Sequence, residues 1–268
     1  MTGHRPQRRL ALVIEYDGSP YNGSQAQKNA PSIQGELETA LCRLTGERLR
    51  VAFAGRTDAG VHAQGQVAAF TTTSALDTEV FVRGLNAHLP EEIAVRRAVE
   101  VAEGFDPRRH ATGRTYRYTI YNARARSPLW RSRSWHLTEP LDISAMGQTA
   151  AVLIGEHDFA AFRRREVAGT DTRPVPAVRC LRRCDVAGRG PLVTIELEAN
   201  AFLRQQVRRI TGVLAQVGRG RMNVAGVRDL LQQGEAASAG PPAPAHGLCL
   251  LSVSYPGLDL TDSNRYDA

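Results

Sequence analysis

The apolar residues of this chain change their spacing in the same order twice over, and that repeated order of strand and helix periods leaves few architectures open. Leu10 to Tyr16 is an apolar, β-compatible run closed by the turn formers Asp17-Gly18-Ser19-Pro20. From Ser32, whose hydroxyl suits a helix N-cap, Ile33, Leu37, Ala40, Leu41 and Leu44 fall on one helical face. Strands follow near Leu49 to Ala54 and Gln66 to Thr72, then a helix near Val80 to Leu89 with Phe81, Leu85 and Leu89 on one stripe, then a strand at Ile93 to Val101. The order is β-α-β-β-α-β.

The second half repeats it without evident sequence identity. Arg114 to Tyr121 alternates as a strand, with Tyr116, Tyr118 and Ile120 on one side. A helix is expected near Ile143 to Ile154, strands near Val178 to Val186 and Leu192 to Ala199, a helix from about Phe202 to Val217, and a closing strand at Leu248 to Ser254. The economical reading is an α+β protein of two ferredoxin-like halves, antiparallel sheets flanking a basic active-site cleft. The division is expected near Phe105 to Arg109, giving domains 1–106 and 107–268. The alanine-, proline- and glycine-rich stretch Gly234 to Gly247 reads by composition as a flexible internal loop, and the polar tail after Pro256 as poorly ordered.

With 268 residues, 42% of them hydrophobic, the chain can bury a core without covalent staples. No run approaches the roughly 18 apolar residues of a membrane helix, and Met1 to Arg9 is polar and basic, so a cytoplasmic location is expected. Cys42, Cys180, Cys184 and Cys249 are too few and scattered for a disulfide framework, and the Cys180–Cys184 spacing fits no familiar zinc pattern; no metal is expected. The formal charge is +7, and 33 of the 34 basic residues are arginine, Lys28 being the exception. Arginine binds phosphate in bidentate fashion and stacks on bases, so the clusters at Arg108-Arg109-His110, Arg114 and Arg117, Arg124 to Arg133, Arg163 to Arg165, and Arg204 to Arg209 suit a phosphate backbone.

The stretch Gly55-Arg56-Thr57-Asp58-Ala59-Gly60 places two glycines and a charge pair between two expected strands. It is no phosphate-binding P-loop, because Val61-His62 follows where Gly-Lys-Ser/Thr is required. Spacing alone reads it as a tight β-β connection in which Asp58 bonds local backbone. His62 has the pKa range of a general base, and a structural role two residues beyond a turn glycine is the better reading.

The longer run Ala54 to Ala63, with Gln66 three residues on, resembles the signature of the TruA family of tRNA pseudouridine synthases. Further segments resemble the family in order: Glu15-Tyr16-Asp17-Gly18, Leu85 to Pro90, Phe105-Asp106-Pro107-Arg108, Arg114 to Tyr118, Gly155-Glu156-His157-Asp158-Phe159, and Phe202 to Gly212. The resemblance implies a cofactor-independent isomerase converting uridine to pseudouridine in the anticodon stem-loop of tRNA, at positions 38–40, as a homodimer with tRNA spanning both subunits. It implies Asp58 as the catalytic carboxylate, Arg208 as its charge partner, Arg56 in flipping the base, Tyr116 as the face on which uracil stacks, and Leu248 lining the pocket. It makes His157-Asp158 part of a helix-to-loop scaffold. Three positions depart from the family pattern: Ser24 where tryptophan is usual, Pro107 and Cys249. A non-catalytic RNA-binding protein, or a pseudouridine synthase acting on another RNA, are the alternatives.

Overall fold

The structure is a computed structural model and describes residues 6–27, 30–164, 176–233 and 235–260. In chain order its elements are β1 (Arg8–Tyr16), α1 (Ile33–Thr45), β2 (Ala52–Phe53), β3 (His62–Thr72), α2 (Thr78–His88), β4 (Ile93–Val101), β5 (Gly113–Asn122), β6 (Trp135–Leu137), α3 (Ile143–Ala151), β7 (Gly155–Asp158), β8 (Val178–Arg189), β9 (Leu192–Ala199), α4 (Gln206–Gly218), α5 (Val224–Gln233) and β10 (Leu248–Ser254). They form a mixed α+β protein of two compact units. The first comprises the described residues up to Thr112 with those from Leu250 onward, the second Gly113–Cys249.

In the first unit β1 runs antiparallel to both β3 and β4, with Leu10 opposite Phe70 on one side and Glu100 on the other. Leu10, Ala11, Leu12 and Ile14 are all fully buried, which is why β1 reads as a continuous apolar run rather than an alternation. β10, from Leu250 on, lies on the other side of β3. Helix α1 begins as its sequence predicts: Ser32 is extended, and its Oγ accepts the Gly35 N–H at 3.2 Å. Phe81 of α2 packs on Phe70 of β3 with ring centroids 5.7 Å apart.

The expected strand at Leu49 to Ala54 is reduced to Ala52–Phe53. Glu38 of α1 takes the backbone ahead of it, accepting the Val51 N–H at 3.1 Å and pairing with Arg50. The sequence-based division at 106 and 107 falls inside the first unit. Chain beyond it stays there because Tyr255 Oη donates to Pro107 O at 2.7 Å and the Thr112 N–H to Ser254 O at 2.9 Å.

The second unit orders its strands β5-β9-β8-β7, with the short β6 parallel to β5. Tyr118 and Ile120 of β5 and Ile195, Leu197 and Ala199 of β9 are fully buried. Helix α4 starts at Gln206, four residues later than expected. Gln205 holds φ 64°, a left-handed conformation that cannot continue a helix, and Gln206 Oε1 accepts the Leu203 N–H at 2.8 Å. The expected helix at Ile143 to Ile154 ends at Ala151, and Gly155, at φ 119°, turns the chain into β7. His157-Asp158 thus lies on a strand, not on a helix-to-loop connection.

The stretch read as a flexible loop is tied down over its described residues 235–247. The Ala239 N–H donates to Ala161 O at 3.2 Å, Arg209 donates to Gly240 O, and Tyr118 Oη to Pro244 O at 2.8 Å. Arg165 of the expected arginine cluster lies outside the described residues, as does the tail beyond Leu260; within the described part, Leu260 is buried and Asp259 O accepts from Arg97 at 3.0 Å.

Candidate active site

The residues between β2 and β3 form a loop whose alternate side chains turn opposite ways. Thr57 is buried, while Arg56 is exposed and Asp58 half-buried. Thr57 Oγ1 lies 2.8 Å from Tyr16 Oη, and Gln66 Nε2 donates to Gly55 O at 2.9 Å. Tyr16 ends β1, Gln66 lies in β3, and both are buried, so the loop is fastened to these two strands. The Val61 N–H donates to Asp58 O at 3.2 Å, closing a turn whose third residue, Gly60, has φ 76°. That position favours glycine, which is one reason for the Asp-Ala-Gly order.

The turn after β1 presses against the same loop. A Cβ on Gly18 would stand 2.0 Å from Val61 O, so only glycine fits there. His62 Nδ1 is 3.1 Å from both the Gly18 N and Asp17 Oδ1, with the residue 8% exposed. Its ring holds the turn to the start of β3. Arg56 is therefore exposed and Asp58 half-buried on a loop whose backbone is held at Gly55, Thr57, Asp58 and Gly60.

The other three residues named from sequence belong to the second unit. Tyr116 is half-buried on β5, and Phe202 meets it edge-on at 5.3 Å between centroids and 88° between planes. Tyr118, two residues on, is fully buried; burial raises its phenol pKa, partly opposed by the Arg208 guanidinium. A Cβ on Gly247 would lie 2.6 Å from the Tyr118 ring, so the segment leading to Leu248 rests directly on that tyrosine. Leu248 itself is 6% exposed. Arg208 is half-buried on α4; its Nε donates to Ala243 O at 2.7 Å, and its own carbonyl accepts the Ala243 N–H at 3.0 Å.

Several arginines expected to face a phosphate backbone serve the second unit internally. Arg114 is 9% exposed and donates to Asn200 O at 2.7 Å. Arg117 pairs with Glu196 at 2.7 Å, which also takes Arg183 at 2.9 Å. Burial alone would raise the Glu196 pKa, and the two guanidiniums outweigh it, leaving the carboxyl below its ordinary 4.5. Arg108, Arg109, Arg124, Arg126, Arg131, Arg133 and Arg204 remain exposed. Cys184 is buried, and burial pushes its thiol up to about 12, as suits a structural rather than a reactive cysteine. Among the described residues no group of three or more His, Cys, Asp or Glu side chains is placed to hold a metal ion.

Resemblance named Arg56 and Asp58, while nothing in the sequence singled out the side chains that fix their loop. Thr57 was treated as part of a motif, and Ser24 only as a departure from a pattern. Their spacing of 33 residues carries no local signal.

The family model described as tRNA pseudouridine synthase matches residues 12–108 and 149–256. Arg56 and Asp58 fall in the first stretch, Arg208 and Leu248 in the second, and Tyr116 in the interval between. A tRNA pseudouridine synthase A of Myxococcus xanthus is 49% identical over 248 residues, covering 92% of each chain. Proteins of the same name from Geotalea uraniireducens and Pelobacter propionicus are 48% and 47% identical, over 92% of this chain and the whole of theirs. This chain belongs to the tRNA pseudouridine synthase family.

Proposed function

We propose that this enzyme, an isomerase converting uridine to pseudouridine in tRNA, acts in the anticodon stem-loop with Asp58 as its catalytic carboxylate. The observation that carries the reading is the Asp58 loop itself. A half-buried carboxylate and an exposed guanidinium two positions apart lie on a backbone anchored to two buried strands, in a stretch that matches the family.

The reaction breaks the N1–C1′ bond, turns the base and joins C1′ to C5; C5 loses a proton and N1 ends with one, so no electrons or energy source enter. One carboxylate suffices. It can attack C1′, add to C6 or take a proton from the ribose, and each route requires Asp58 ionised. Arg208 is assigned as the cation that keeps it so. A stacked uracil cannot reach the loop, so it is extruded at a few kcal/mol. Arg56, exposed beside Asp58, is assigned to hold the vacated stack open. Tyr116 offers the extruded base a face worth about 1–3 kcal/mol, and Leu248 is assigned to line the pocket.

The protein has no described helix long and apolar enough to cross a membrane. A cytoplasmic setting and a homodimer holding tRNA across both subunits complete the proposal. Sedimentation at micromolar concentration is expected to give a dimer, and a monomer would remove that part. For function, unmodified tRNA incubated with the protein is expected to gain pseudouridine in the anticodon arm. Binding without modification, or modification confined to ribosomal RNA, would contradict the assignment.

A further inference from the structure

We propose that Ser24 is a positioning residue for the isomerisation: its hydroxyl and backbone clamp Thr57 and so fix where the neighbouring Asp58 carboxylate is presented. The proposal rests on the reading of Asp58 as the catalytic group.

Ser24 is fully buried, and each of its polar groups is committed. Its Oγ accepts the Thr57 N–H at 2.9 Å. Its own N–H donates to Thr57 O at 3.2 Å, and its carbonyl accepts the Gln34 N–H at 3.0 Å, in the first turn of α1. One small residue thus grips the peptide groups on both sides of Thr57 and ties them to a helix. Gly23 makes the approach possible. It holds φ 102°, and a Cβ there would stand 2.7 Å from Thr57 O.

The hydroxyl is the replaceable part of the clamp, because the two backbone bonds persist with any residue at this position. Without it the Thr57 N–H is left buried with its acceptor gone, and the peptide must rotate or admit water to be satisfied. That peptide joins Arg56 to Thr57, so its rotation reaches Asp58 through the Thr57 backbone, which the remaining bond from the Ser24 N–H to Thr57 O holds only at its other end. Displacements of about 1 Å at a reacting group can cost about 100-fold in rate. Thr57 Oγ1 is held separately by Tyr16 at 2.8 Å, so the loop stays attached while its aim changes. The expected defect is therefore in the chemical step and not in RNA binding.

The test uses the full chain, with unmodified tRNA as substrate, well below the melting temperature. Ser24→Ala is expected to lower kcat about 10- to 100-fold with KM for tRNA within about threefold, and Ser24→Thr, which keeps the hydroxyl, to recover most of that loss. Hydrogen exchange at the Thr57 amide is expected to be slow in the wild-type protein and much faster in Ser24→Ala. A Ser24→Ala enzyme with kcat within twofold of wild type overturns the proposal. So does equal impairment of the Ala and Thr variants, which assigns the site to packing. Fast exchange at Thr57 in the wild type overturns it without recourse to any variant. Asp58→Ala, run in parallel, separates the two claims: if it is inactive while Ser24→Ala is normal, only the clamp fails, and if it turns over normally, both fail.

Discussion

At the residue scale, the side chains that matter most are those whose neighbours leave them a single role. Tyr116 and Tyr118 differ by two positions on one strand, and alternation puts them on the same side. Tyr118 is fully buried and spends its hydroxyl on Pro244, whereas Tyr116 keeps part of its ring accessible beside Phe202. The sequence could name both but could not rank them by geometry, because burial depends on the segment ending at Gly247, more than a hundred residues away. Arg117 makes the converse point, since its charge suggested RNA while Glu196 and Arg183 bind it into a structural cluster. Glu196 has a folded-state pKa below its unfolded value, so it adds stability above the unfolded pKa, and that contribution fades as pH falls through the folded one. Glu196→Gln is expected to cost about 1–3 kcal/mol at pH 7 and progressively less below about pH 4.5, read from thermal melts across pH. A penalty independent of pH would show that the ion cluster is not its source.

At the scale of elements, the legible parts are those whose burial is decided by their own periodicity. β1, α1, α2, β4, β9 and β10 lie close to where their apolar spacing places them. The cap of α1 was readable for the same reason: Ser32 precedes the first apolar helical position, and its hydroxyl meets the Gly35 N–H. Ser32→Ala is expected to cost about 1 kcal/mol, a lowering of a few degrees in the melting temperature, with catalysis by the folded enzyme unchanged. Loss of activity without loss of stability would mean that the start of α1 does more than cap a helix. Of the elements not anticipated, β6 and β7 are three and four residues long and exist through their partner strands, whereas α5 carries Val224, Val227, Leu230 and Leu231 at helical spacing and was legible. The late start of α4 depends on one left-handed residue, Gln205, which no propensity singles out. Composition misread the stretch before β10, since alanine, proline and glycine there do not loosen a chain whose carbonyls are taken by Tyr118, Arg208 and Arg209.

At the scale of the molecule, a basic chain of 33 arginines keeps Arg108 and Arg109 of the first unit and Arg124, Arg126, Arg131, Arg133 and Arg204 of the second exposed, groups suited to a polyanion. The residues assigned to the reaction are divided between the two units, with Asp58 and Arg56 in one and Tyr116, Arg208 and Leu248 in the other. No local pattern in the sequence could have joined them; only resemblance along the whole chain did. The most direct measurement compares wild type and Asp58→Ala on the same unmodified tRNA, following pseudouridine formation and tRNA affinity together. The account predicts that turnover is abolished while affinity falls less than about tenfold, or 1.4 kcal/mol. Turnover by Asp58→Ala near the wild-type rate would contradict it.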